Sequence, residues 1–332
     1  MRDETEQSFS SVLDALFEDE QLPIHLLYRL TDLTADEMAE FNRRWPEIPA
    51  ERRRVIVRHL ADISEENFVV DFAPIFAQCF KDSSAPVRVA ALDGLWDATH
   101  VPLVRPIIDM MQHDESVEVR AAAAAALAHY VLLAEWGELP VAISPPIVDA
   151  LLAEYKKKET AVPVKRAALE ALGAASHPHI DSLIEEAYES DDFAMQLSAV
   201  FAMGSSANNR WLPTILDEMS NPAAAMRVEA ARAAGAMGSS DVIDDLANLT
   251  VDEELDVRLT AVTALGQIGG EAAQRILVDL ADDPESEELH EAVDEALEEL
   301  TWMAGDLKLM SSDDGDSFFD EDEYTIGDEL EN

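Results

Sequence analysis

The groups in this chain that could do chemistry are histidines, carboxylates, one thiol and one arginine cluster. His177-Pro178-His179 places two imidazoles in a turn. A zinc site needs three or four ligands, and neither a cysteine nor a third histidine lies near in sequence. The lone cysteine, Cys79, sits in the apolar run Ile75-Phe76-Ala77-Gln78-Cys79-Phe80. Burial is expected for it rather than reactivity, and a single cysteine makes no intramolecular disulfide. Carboxylates crowd the whole chain, so no acid–base pair stands apart. The patterns G-x-x-x-x-G-K-[ST], G-x-S-x-G and H-E-x-x-H are absent. These groups imply no catalytic residue, no metal ligand and no cofactor, and the chain reads as a non-enzyme.

Charge narrows the partners. The 332 residues carry 23 Lys or Arg against 69 Asp or Glu, a net charge of −46. Nucleic acid and anionic membrane are excluded as expected partners, because phosphate contacts need cations. A protein partner is expected, and a basic surface would be the complement. The basic run Glu51-Arg52-Arg53-Arg54-Val55-Ile56-Val57-Arg58-His59 is expected to neutralise neighbouring carboxylates. The acidic start, Met1-Arg2-Asp3-Glu4, lacks the order of a signal peptide, and the apolar tract Ala121 to Ala134 is too short to cross a bilayer. A cytoplasmic location is expected.

The elements that must position any site repeat along the chain. Val257-Arg258-Leu259-Thr260-Ala261-Val262-Thr263-Ala264-Leu265-Gly266 has earlier copies starting at Val87, Val119, Val164, Met195 and Met226. The second residue of each copy is Arg88, Arg120, Lys165, Gln196, Arg227 and Arg258, at spacings of 32, 45, 31, 31 and 31. A period of this length marks stacked helical repeats. Val257, Ala261, Val262 and Leu265 form one helical stripe, and Ile276, Leu277 and Leu280 continue the spacing on a second helix. Asp82, Asp114, Asp191, Asn221 and Asp252 are expected to cap the first helices. Gly173, Gly204, Gly235 and Gly266 are expected to end them. Ala91, Ala123, Ala168, Ala199, Ala230 and Ala261 fill one column, where small side chains let helices approach.

An acidic turn, then V-R-x-x-A, A-L-G and a second helix resembles HEAT repeats, particularly the HEAT-like repeats of phycobilin lyase subunits. The resemblance covers about residues 50 to 302 and is specific for fold rather than function. It implies an all-α, right-handed α-solenoid of stacked antiparallel helix pairs. By the same resemblance the V-R helices line the concave side, and each Arg pairs with the acidic turn of its own or an adjacent repeat.

In order, residues 1–49 are expected to form an N-terminal helical cap, 50–302 the solenoid, and 303–332 an acidic, disordered tail. Within the cap, Leu22 to Leu30 reads as a helix, and Thr34-Ala35-Asp36-Glu37 as a capping box. The long spacing leaves an insertion near Ala134 to Pro146 that carries Trp136.

The helical wheel selects Glu170, Phe201, Glu229 and Arg232 as a partner-binding surface on the concave face, with Trp96, His129 and Gln267 as further candidates. Phe318, Phe319 and Tyr324, set among acids, would let the tail act as a ligand for a basic partner or for the Arg52–Arg54 cluster of a neighbouring molecule. The expected function is a protein-interaction scaffold or adaptor. Alternatives are an accessory subunit of a chromophore lyase or other modifying enzyme, suggested by the resemblance, and an acidic mimic of nucleic acid, suggested by charge.

Overall fold

The computed structural model describes residues 8–67 and 69–312, and among them there is no β-strand. The chain divides into two compact units between Met237 and Gly238.

The first unit opens with α1 (Phe9–Glu18), a 3-10 turn at Ile24–Leu30 and α2 (Ala35–Arg44). Thr34 and Glu37 close a full capping box on α2. The segment expected as an α-helix to Leu30 is 3-10 instead. It is short and ends at Asp32, whose φ of +51° turns the chain back. Short runs close with tighter i→i+3 bonds. Phe17, Phe41 and Trp45 form its aromatic core, Phe41 and Trp45 stacked at 4.8 Å.

The repeats follow. Helices α3 (Ala50–Glu66), α4 (Ala73–Cys79), α5 (Ala85–Asp93), α6 (Val104–His113), α7 (Val117–Glu135), α8 (Ser144–Lys156), α9 (Val162–Gly173), α10 (Ile180–Tyr188), α11 (Phe193–Ser205), α12 (Leu212–Glu218) and α13 (Ala224–Met237) complete this unit. The odd-numbered helices from α3 to α13 pack side by side in one layer, and α6, α8, α10 and α12 back them. Pro74 lies in the first turn of α4, where its missing N–H costs nothing. Cys79 is fully buried, and loss of hydration pushes its thiol pKa up, which keeps it inert.

The extra residues of the long repeat do not all form a loop. They also lengthen α7 to 19 residues. By length and composition α7 could cross a membrane. Here it is a core helix, with Val119, Ala123, Leu127, Tyr130 and Val131 buried and contacts to α5, α6, α8 and α9.

The second unit holds α14 (Ile243–Leu249), α15 (Leu255–Ile268), α16 (Gly270–Asp282) and α17 (His290–Ser312). Helix α15 packs on α14, α16 and α17. Helix α17 runs to Ser312, past the boundary expected at 302.

The alanine column is fully buried in both units, at Ala91, Ala123, Ala168, Ala199, Ala230 and Ala261. The glycines need a correction. Gly173, Gly204, Gly235 and Gly266 lie within helices and do not terminate them by a left-handed turn. They serve close approach: an added Cβ would lie 2.5 Å from Ala233 Cα at Gly204 and 2.9 Å from Ala296 Cβ at Gly266.

The acidic row also acts differently from a helix cap. Asp82, Asp114, Asn221 and Asp252 accept from the N–H two residues on, at 2.8 to 3.0 Å, and so shape the turn before the helix. At α11 the cap is Asp192, which accepts from Ala194 and Met195 N–H, and not Asp191. Ser190 holds the turn position there, its hydroxyl accepting from Asp192 N–H at 3.1 Å.

Candidate functional site

The arginine column comes first, because it fixes the helices that carry the site. Arg88 Nη1 donates to the carbonyl of Asp82 at 2.8 Å, six residues back. Arg120, Arg227 and Arg258 make the same bond to Asp114, Asn221 and Asp252 at 3.1, 2.9 and 2.6 Å. Gln196 breaks the sequence pattern but not the bond: its amide donates to Ser190 O at 2.9 Å. The second guanidinium arm of Arg88 reaches Asp114 of the next repeat at 2.7 Å, and that of Arg258 reaches Glu288. Each of these two side chains therefore joins its own turn to the following one, as the resemblance implied.

The basic run is spent in the same way. Arg53 is buried against Asp82 at 2.8 Å, and Asp82 also accepts from Trp45 Nε1 at 2.9 Å. Arg52 donates to the carbonyl of Leu16 at 2.8 Å. Arg54 pairs with Glu51 at 2.6 Å, and Arg58 with Asp93 at 3.1 Å.

With α9, α11 and α13 held side by side, their shared face carries a polar cluster. The Ser198 hydroxyl, buried on α11, donates to the Glu170 carboxylate of α9 and accepts from Arg166 Nε at 2.8 Å. Arg166 also pairs with Glu170 one turn along α9, at 3.7 Å. On α13, Glu229 is paired with Arg232 at 2.6 Å. Its Oε1 is buried without a hydrogen-bond partner. Loss of hydration raises the Glu229 pKa above the ordinary carboxylate value, and the Glu170 charge adds to the rise, while Arg232 and Arg166 oppose it. Phe201 lies one turn from Ser198 on α11 and is half-buried. Arg232 is exposed.

Glu170, Glu229 and Arg232 are thus linked, with Phe201 a turn away. Sequence reasoning missed Arg166 as the link. Its signal was the i,i+4 spacing to Glu170, which favours an ion pair on a helix.

The remaining candidates stand elsewhere. Trp96 lies beyond α5, on a cleft with Phe76, Thr99 and His100. His129 is on α7, half-buried, with Nε2 lacking a partner. Loss of hydration lowers its pKa, against the charges of Asp97 and Glu138. Gln267 is exposed on α15, in the second unit. Phe318, Phe319 and Tyr324 lie outside the described residues. Trp211 is buried under Arg210, whose guanidinium lies 4.4 Å from its ring centre. His177 and His179 have ring centres 5.3 Å apart. Among the described residues no group of three or more His, Cys, Asp or Glu side chains is placed to hold a metal ion.

Helix pairs in register, joined by an arginine ladder, define an all-α helical-repeat solenoid. Residues 212–298 match the family model for HEAT repeats. Among solved structures, the chain is similar to YibA of Escherichia coli, at 18% identity over 86% of this chain and 98% of that one, with a TM-score of 0.43. Human deoxyhypusine hydroxylase in complex with glycerol matches at 19% identity over 80% of this chain and 96% of that one, with a TM-score of 0.36. Yeast importin-β (Kap95p) matches at 15% identity, covering 88% of this chain and 50% of that one, with a TM-score of 0.38. No curated protein sequence matches the chain significantly.

Proposed function

We propose that this protein is a non-enzymatic scaffold that takes a protein partner along the face shared by α9, α11 and α13. The observation that carries the proposal is the Glu170–Ser198–Arg166 link beside Glu229 and Phe201. A half-buried carboxylate that keeps one oxygen unpaired, next to a half-buried aromatic ring, is costly in an isolated protein. A partner that donates a hydrogen bond to Glu229 and covers Phe201 relieves both costs. Aromatic anchors within a polar surround are the common form of a binding hot spot. The matched HEAT repeats over 212–298 support the reading, since each such repeat adds surface without adding chemistry.

The test uses the full chain as bait in an extract of its native cell. Charge reversal at Glu229 would disturb the fold, because only 12% of that side chain is exposed. Phe201→Ser with Arg232→Glu probes the same face from its outer residues. The double variant should keep its helical circular dichroism and lose about thirtyfold in partner affinity, as for one aromatic hot spot worth about 2 kcal/mol. Capture equal to wild type would remove the binding role from this face. Recovery of a modified or coloured partner would favour the lyase-subunit alternative.

A further inference from the structure

A second feature of the odd-helix layer lies away from that cluster. Arg54 and Arg58 of α3, Ala85, Pro86, Val89, Ala90 and Asp93 of α5, and the start of α7 enclose a groove of about 330 Å³. Its floor is apolar: Pro86 is exposed, and Ala85 and Val89 are half-buried. Along one wall stand the two arginines of the basic run that are not drawn inward, with side chains 41% and 56% exposed. Each already holds one carboxylate, Glu51 or Asp93. A guanidinium has five N–H donors, so each can bind a second carboxylate.

We infer that this groove takes the chain's own C-terminal segment, Asp313–Asn332. The argument is complementarity. That segment has ten Asp or Glu and no Lys or Arg, and it carries Phe318, Phe319, Tyr324, Ile326 and Leu330. The groove presents the two features such a segment seeks, an apolar floor and exposed guanidinium groups, in a chain whose net charge is −46. Phe318-Phe319 fills the floor at Val89 and Pro86, and Asp320 to Glu323 face Arg54 and Arg58. The wider expectation of a tail docked on Arg52–Arg54 is narrowed here, because Arg52 and Arg53 are committed to Leu16 and Asp82. Twenty residues follow Ser312, so the segment is long enough to line the groove, whichever copy of the chain donates it.

The test is photo-crosslinking in the full chain. Cys79 is fully buried, so a benzophenone maleimide labels only the thiol of a V89C variant. Irradiation followed by peptide mass spectrometry should place the crosslink within Asp313–Asn332, in a monomer if a chain binds its own tail and in a covalent dimer if it binds a neighbour's. Adding R54E and R58E should lower the yield about fivefold, the scale of two exposed ion pairs. Changing Phe318, Phe319 and Tyr324 to Ser should lower it comparably with circular dichroism unchanged. Crosslinks confined to other parts of the chain, or a yield unaltered by both sets of changes, would overturn the assignment. Neither result bears on partner capture at Phe201 and Arg232.

Discussion

Gly204 of α11 lies so close to Ala233 of α13 that a Cβ on the glycine would sit 2.5 Å from the alanine Cα. Backbone meets backbone there, and no flexible side chain can swing aside. Alanine normally favours a helix over glycine by about 1 kcal/mol. At this site the sign should invert. Gly204→Ala should destabilise the chain by about 1–3 kcal/mol, the usual cost of overpacking. Thermal unfolding followed by circular dichroism reads it, and a raised melting temperature would show that α11 and α13 are further apart.

The ladder makes a second prediction. Asp114 accepts from Arg88 at 2.7 Å, and the two side chains are only 10% and 7% exposed. Asp114→Ala leaves a buried guanidinium arm without its anion and also frees the turn at Ser116. Breaking a buried pair from one side costs about 3–5 kcal/mol. Chemical denaturation should show a loss near the lower bound, since Glu115 stands 3.8 Å from Arg88 as a partial substitute. Glu51→Ala, which breaks the solvent-exposed pair with Arg54, should leave the denaturation midpoint unchanged.

Glu229 sets a pH dependence. Its carboxyl is raised above the ordinary value of 4.5, mainly by loss of hydration. The native chain therefore binds that proton more tightly than the unfolded chain does. Stability from this residue is full below the unfolded pKa and declines as pH rises through the native one. Arg232, Glu170 and Arg166 are the charged groups acting on it. Glu229→Gln should match wild type well below pH 4.5 and exceed it at pH 7 by about 1 kcal/mol, the order of one poorly satisfied buried group. Melting temperatures of the two proteins across pH 4 to 8 check this at order-of-magnitude precision. Parallel curves would place Glu229 in contact with water.

The sequence by itself determined the helical repeat. The spacing of 31 in the arginine column and the alanine column beside it are properties of a linear pattern. Helical periodicity turns that pattern into a buried stripe without knowledge of any partner, and all six alanines are fully buried. The capping box at Thr34 and Glu37 was legible for the same reason, because its two bonds span three residues. Only the tertiary structure decided what the glycines do, since the same glycine serves a helix end or a close helix crossing. It also divided the basic run, sending Arg53 to Asp82 and leaving Arg54 and Arg58 at a groove. The cluster at Ser198 joins residues about thirty apart along the chain, one repeat period. Wheel positions named Glu170 and Glu229, but which carboxylate loses water depends on how closely α9, α11 and α13 approach. That distance is set by side chains packing across helices, and no local pattern in a single helix carries it.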